Sequence, residues 1–130
     1  MLKKLLVATA ATLVMVGAAF ADPIEGFWQT EPDDGAFAFV EVVPCGDTYC
    51  GTIVRTFNAD GEYQSPNIGK MLLIEMAPQG GGEYKGNVWR PSNDKIYIGK
   101  VTIEGDVMKM RGCIAGGLLC SSQTWHRLPQ

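Results

Sequence analysis

The chain has 130 residues, 46% of them hydrophobic, a mean hydropathy near zero and a formal charge of −3. Beyond Lys3-Lys4 its cationic side chains are scattered singly. It therefore lacks the basic patch that neutralising phosphates demands, which argues against nucleic acid as a partner, and it has no polybasic run for anionic lipid.

Residues 1–21 read as a secretory signal peptide. Two lysines precede an apolar run from Leu5 to Phe20, and Ala19-Phe20-Ala21 places small residues where a signal peptidase needs them. The run is shorter than the roughly 20 residues a spanning helix requires, and no second apolar stretch follows, so no transmembrane segment is expected after cleavage. Cleavage before Asp22 would leave 109 of the 130 residues as a single domain, 22–130, and removal of Lys3 and Lys4 would take the charge from −3 to −5. A periplasmic or secreted location follows. An oxidising compartment makes an even number of cysteines a disulfide framework. Of the three connectivities open to Cys45, Cys50, Cys113 and Cys120, the favoured one joins Cys45 to Cys50 and Cys113 to Cys120, because each pair closes a short glycine-containing loop between neighbouring strands.

The rest is predicted to be all-β. No window holds the i, i+3, i+4, i+7 pattern over three turns, whereas eight extended segments are legible. They run from Ile24 to Thr30, Ala36 to Val43, Tyr49 to Thr56, Met71 to Met76, Glu83 to Trp89, Lys95 to Glu104, Val107 to Gly112, and Ser121 to Leu128. Turn-forming clusters separate them, among them Asp33-Asp34-Gly35, Asp60-Gly61, Gly80-Gly81-Gly82 and Pro91-Ser92-Asn93-Asp94. Short turns between evenly spaced strands predict an up-and-down meander, and closing it into an eight-stranded barrel removes both exposed edges. Alternation marks the inner face: Ile24, Gly26 and Trp28 in the first strand, Tyr97, Gly99, Val101 and Ile103 in the sixth, and Met108 and Met110 against Lys109 and Arg111 in the seventh. In Met71 to Met76 both faces are apolar.

Three groups of residues carry a resemblance. They are Gly26-Phe27-Trp28, the stretch Cys45-Gly46 through Cys50-Gly51-Thr52-Ile53-Val54, and Met110-Arg111-Gly112-Cys113 with Gln123-Thr124-Trp125-His126-Arg127. Together with Gly86-Asn87-Val88-Trp89-Arg90-Pro91, Lys95 and Tyr97 they resemble the bacterial exported family known as domain of unknown function 2147. Asn93-Asp94-Lys95 departs from the pattern, which more often has glycine before the lysine. The resemblance implies a small lipocalin-like barrel with disulfides and implies little about activity. In such barrels a Gly-x-Trp strand opens the fold and a late arginine packs on the tryptophan. Gly26, Trp28 and Arg127 match those positions, with Trp125 as a further structural residue of the last strand.

Chemistry is sparse. His126 is the lone histidine and alternation turns it away from Trp125 and Arg127; without a nucleophile elbow no enzyme is expected. No metal or cofactor is expected: the cysteine spacings are unusual for zinc, and Asn58-Ala59-Asp60-Gly61 matches a calcium loop only in its middle, so it reads as a hairpin turn. Gly80-Gly81-Gly82 lacks the lysine of a phosphate loop.

The expected function is binding of a small hydrophobic ligand of unknown identity in a compact lumen. Trp89 and Tyr97 would supply polar tips and Met108 and Met110 an apolar wall, although methionine in such a core more often simply packs. Arg111 is expected outward as a solvated cation; a bulge at Gly112 would turn it inward to meet an anionic headgroup. The alternative is an envelope interaction or inhibitor module with a solid barrel and working loops. The size of the interior separates the two. Oligomeric state is left open.

Overall fold

The structure, a computed structural model, describes residues 21–129. Residues 1–20, with nearly all of the expected signal peptide, lie outside them. Nine strands follow one another: β1 (Gly26–Gln29), β2 (Phe37–Cys45), β3 (Thr48–Asn58), β4 (Gly61–Tyr63), β5 (Met71–Gly80), β6 (Glu83–Arg90), β7 (Lys95–Glu104), β8 (Val107–Ile114) and β9 (Leu119–Arg127). All pairings are antiparallel between chain neighbours, except that β3 also reaches past β4 to β5, and β9 returns to β1. Eight strands thus form a closed ring, with β4 an appendage on β3. This is the expected up-and-down barrel. Among the described residues no helix is long and apolar enough to cross a membrane.

Strand β4 was hidden because its three residues are all exposed and show no alternation. It is held laterally instead. Arg55 grips Glu62 through two bonds of 2.8 and 2.5 Å, and the Thr56 hydroxyl donates to the Tyr63 carbonyl at 2.5 Å. Both disulfides form in the favoured connectivity, Cys45–Cys50 and Cys113–Cys120, with Cα atoms 5.6 and 4.1 Å apart. Each staples one hairpin, the first between β2 and β3 and the second between β8 and β9.

Alternation builds the interior where strands are regular. Trp28, Val101, Met108 and Trp125 are buried and their sequence neighbours face outward. It fails at bulges. In β5, Ile74 pairs with Asn87 but the next partners are Ala77 and Lys85, and Glu75 takes φ +49°. This kink keeps both Leu73 and Met76 inside, and a second irregularity, where Gly51 and Thr52 of β3 pair with Leu73 and Met71, makes Leu72 an extra residue buried beside Leu73, which explains the doubly apolar segment. Gly86 makes the kink possible: a Cβ there would stand 2.5 Å from the Glu75 carbonyl oxygen and 2.6 Å from that of Ile74. In the turn between β6 and β7, Asp94 takes φ +55°. That is the position at which the family pattern has glycine, and aspartate is one of the few side chains to tolerate it.

Candidate functional site

The two ends of the barrel differ. At one end lie the start of β1, the hairpins β2–β3, β5–β6 and β7–β8, and the last residues of β9. Here the inward positions are large: Ile24, Trp28, Val40, Leu73, Met76 and Met108 are all fully buried. The end is sealed by Arg127, whose guanidinium carbon lies 4.4 Å from the Trp28 ring centroid. Its nitrogens donate to the carbonyls of Glu25 at 2.7 Å and Pro23 at 2.6 Å and to the Asp106 carboxylate at 3.0 Å. The Trp28 indole N–H donates to the Ile24 carbonyl at 2.9 Å, so this buried donor is satisfied. Gly26, at φ +124°, is required twice: the backbone angle disfavours side chains, and a Cβ would sit 3.1 Å from an Arg127 nitrogen. The Tyr84 hydroxyl donates to the Asp22 carboxylate across the same end; burial and this bond both push the phenol upward from its ordinary pKa.

At the other end the inward positions are small. Thr30, Ala38, Thr56, Gly112 and Ser121 leave a cavity of about 380 Å³ that opens to solvent at the mouth. Ile53, Leu72, Val88, Met110 and Trp125 make its apolar floor, all of them buried. The collar above is polar. Thr30 Oγ1 accepts from the Ala38 amide at 2.9 Å, and Ser65 Oγ accepts from the Asn67 amide at 3.0 Å. Both hydroxyls are buried, and neither donates its own proton to any group among the described residues. Gln123 accepts from the Trp125 indole N–H at 2.8 Å, leaving its amide nitrogen for another partner.

The mouth carries a strap. Asp33, in the β1–β2 connection, and Arg90, at the end of β6, stand on opposite sides of the eight-strand ring. They meet through two bonds of 2.8 and 2.9 Å, and the Ser92 hydroxyl adds a third to Asp33 at 3.2 Å. The Arg90 bonds, against the counter-effect of partial burial, hold the Asp33 carboxyl below the ordinary value of 3.8.

The expected ligand contacts fare unequally. Trp89, Tyr97 and Met110 line the cavity; Met108 and Arg111 do not. Met108 packs in the solid half, and Arg111 is exposed on the outer wall opposite Ser122. Gly112 continues the ladder opposite Gly99 and Ser121, without the bulge that would have turned Arg111 inward. The two polar tips differ. The Trp89 N–H is taken up by the β6–β7 turn, donating to Asp94 at 2.8 Å, whereas the Tyr97 hydroxyl accepts from Asn93 at 2.7 Å and keeps its own proton for another partner. His126 is exposed on β9, outside the cavity. Sequence reasoning missed Thr30, Thr56, Ser65 and the Asp33–Arg90 strap. Thr30 was legible, being two residues beyond Trp28 on the inner face. Thr56 was not, because Val54 is an extra residue opposite Val40 and reverses the phase of β3.

A closed barrel with a sealed, solid base and a cup at its open end defines the class, a small lipocalin-like barrel. The chain belongs to the family of uncharacterized proteins conserved in bacteria, DUF2147, whose family model matches residues 26–127. Among solved structures it is similar to protein HP1028 from Helicobacter pylori, described as belonging to the lipocalin family, with a TM-score of 0.66 at 17% identity over 82% of this chain and 84% of that one. At this identity the likeness concerns the fold alone. Comparison with curated protein sequences gives no match.

Proposed function

We propose that the protein is an exported, non-catalytic carrier of a compact hydrophobic ligand held in the cup. The observation that carries this reading is the floor and collar together: an apolar base beneath the buried Thr30 and Ser65, whose hydroxyls donate to no group among the described residues. A buried hydroxyl that gives up water without a partner costs free energy, and a ligand acceptor at the collar would recover it. The volume of about 380 Å³ lies at the low end for small-molecule sites and suits a medium-length acyl chain or a small ring system. The strap is weak enough to open for it, since both partners are partly exposed and solvent screens the pair. The two disulfides and the signal-like opening of the sequence support export. The solid-barrel alternative fits only the sealed half.

Trp89 and Trp125 both line the cup, so occupancy should change tryptophan emission. Titration with fatty acids of increasing chain length and with small aromatic compounds should give saturable quenching with an optimum at intermediate size. Native mass spectrometry of protein prepared without detergent should show the same stoichiometric complex. Absence of saturable binding in both measurements rejects the carrier reading.

A further inference from the structure

The fold gathers cations that the sequence scatters. Among the described residues there are nine Lys and Arg. Arg55, Arg90 and Arg127 are in ion pairs, and Lys70 lies over the Trp89 ring at 5.4 Å. The other five, Lys85, Lys95, Lys100, Lys109 and Arg111, are in no ion pair among the described residues and all fall on three consecutive strands, β6, β7 and β8. Three are in direct register: Lys85 stands opposite Lys100, and Lys100 opposite Arg111. Adjacent strands are about 4.8 Å apart, so like charges placed directly opposite destabilise the sheet, and a row of three calls for a counter-charge from outside. The acids of this wall, Glu83 and Glu104, stand toward its sealed end.

Toward the mouth the same wall turns apolar. Ile96 and Ile114 are 63% and 52% exposed, and Leu118 and Leu119, at the tip of the hairpin stapled by Cys113–Cys120, are 84% and 62% exposed. Lys100 donates to the Gly117 carbonyl at 3.2 Å and so ties this tip to the cationic row. The exposed leucines thus lie beside the cations rather than apart from them. An acidic partner protein would answer the charges without covering the leucines, whereas a bilayer accepts both: apolar tips enter the headgroup layer and cations lie against phosphates.

We propose that the β6–β7–β8 wall and the β8–β9 hairpin form a docking surface for an anionic lipid bilayer, engaged with the leucine tip at the membrane. The surface is separate from the cup, and the proposal stands whether or not the cup holds a ligand.

The test is co-sedimentation of the protein, as recovered from expressing cells, with phosphatidylcholine vesicles with and without phosphatidylglycerol. Binding should require phosphatidylglycerol and weaken as salt rises. The double variant Lys85→Glu/Arg111→Glu should bind more than tenfold less, since each cation near such a surface is worth roughly a factor of five. Its melting temperature should hold or rise, because Lys100 then has opposite charges on both sides. Leu118→Ser/Leu119→Ser should also bind severalfold less with unchanged melting. Val43→Ser, exposed on β2 across the ring, should bind like the wild type. Wild-type-like binding by both wall variants, or equal binding to neutral vesicles, overturns the proposal. Loss in the charge variant alone, with the leucine variant unaffected, also overturns it and points to an acidic protein instead.

Discussion

Arg127 closes the base of the barrel through a ring face, two backbone carbonyls and one carboxylate. Removing it abandons a cation–π contact of about 0.5 to 2 kcal/mol and charged hydrogen bonds of about 1.5 to 3 kcal/mol each, part of which water replaces. Arg127→Ala should therefore destabilise by about 2 to 3 kcal/mol, lowering Tm on the order of 10 °C in a thermal melt. Ligand affinity in the cup should change little at temperatures where the variant is folded, because the base and the cup are at opposite ends. A large loss of affinity without loss of stability would show that Arg127 touches the ligand. The resemblance to lipocalin-like barrels implied this packing, since Gly26-x-Trp28 and Arg127 match the two ends of such chains, and the structure has the guanidinium over the Trp28 ring. The polar tip of Trp89 was misread as free because a short turn, Asn93-Asp94, bends back to claim it, and no alternation rule sees a turn folding onto its own strands.

Between elements, the Asp33–Arg90 strap joins the β1–β2 connection to the end of β6, 57 residues apart in the chain. Its titration has a definite sign. The Asp33 carboxyl is depressed below its ordinary 3.8 by the Arg90 bonds, so the strap's contribution is fully present above that value and is lost as pH falls through the lower, folded one. Ligand dissociation followed by stopped-flow tryptophan emission should be flat at neutral pH and accelerate by up to about fivefold toward pH 3, the limit set by a partly exposed pair. Asp33→Asn should be fast throughout and lose this dependence. A wild-type rate that stays flat to acid would mean the strap does not gate the mouth. Strand positions were largely legible from period-two alternation. The bulges at Val54 and Glu75 were not, since a bulge is chosen by the partner strand: Gly86 leaves room for the Glu75 kink, and only pairing reveals that the two meet.

For the molecule as a whole, the division into a solid half and a hollow half follows from side-chain size along the inward rows, large residues near Trp28 and small ones near Thr30. Enlarging a small one should close the cup without harming the fold. Ala38 lines the cavity, so Ala38→Leu should weaken ligand binding at least tenfold while Tm holds or rises, as cavity filling commonly gives. Retained affinity in a folded variant would move the site elsewhere. By itself the sequence determined the all-β barrel and favoured its two cross-links, because alternation, turn chemistry and short cysteine loops are local signals repeated along the chain; the sealed base was implied by the resemblance to lipocalin-like barrels. Tertiary structure alone decided where space remains inside and where charge accumulates outside. Both depend on the register that sets distant strands side by side, which brings Thr30, just beyond β1, and small residues of β2, β3, β8 and β9 around one cavity and sets the singly scattered Lys85, Lys100 and Arg111 of β6, β7 and β8 in one cross-strand row.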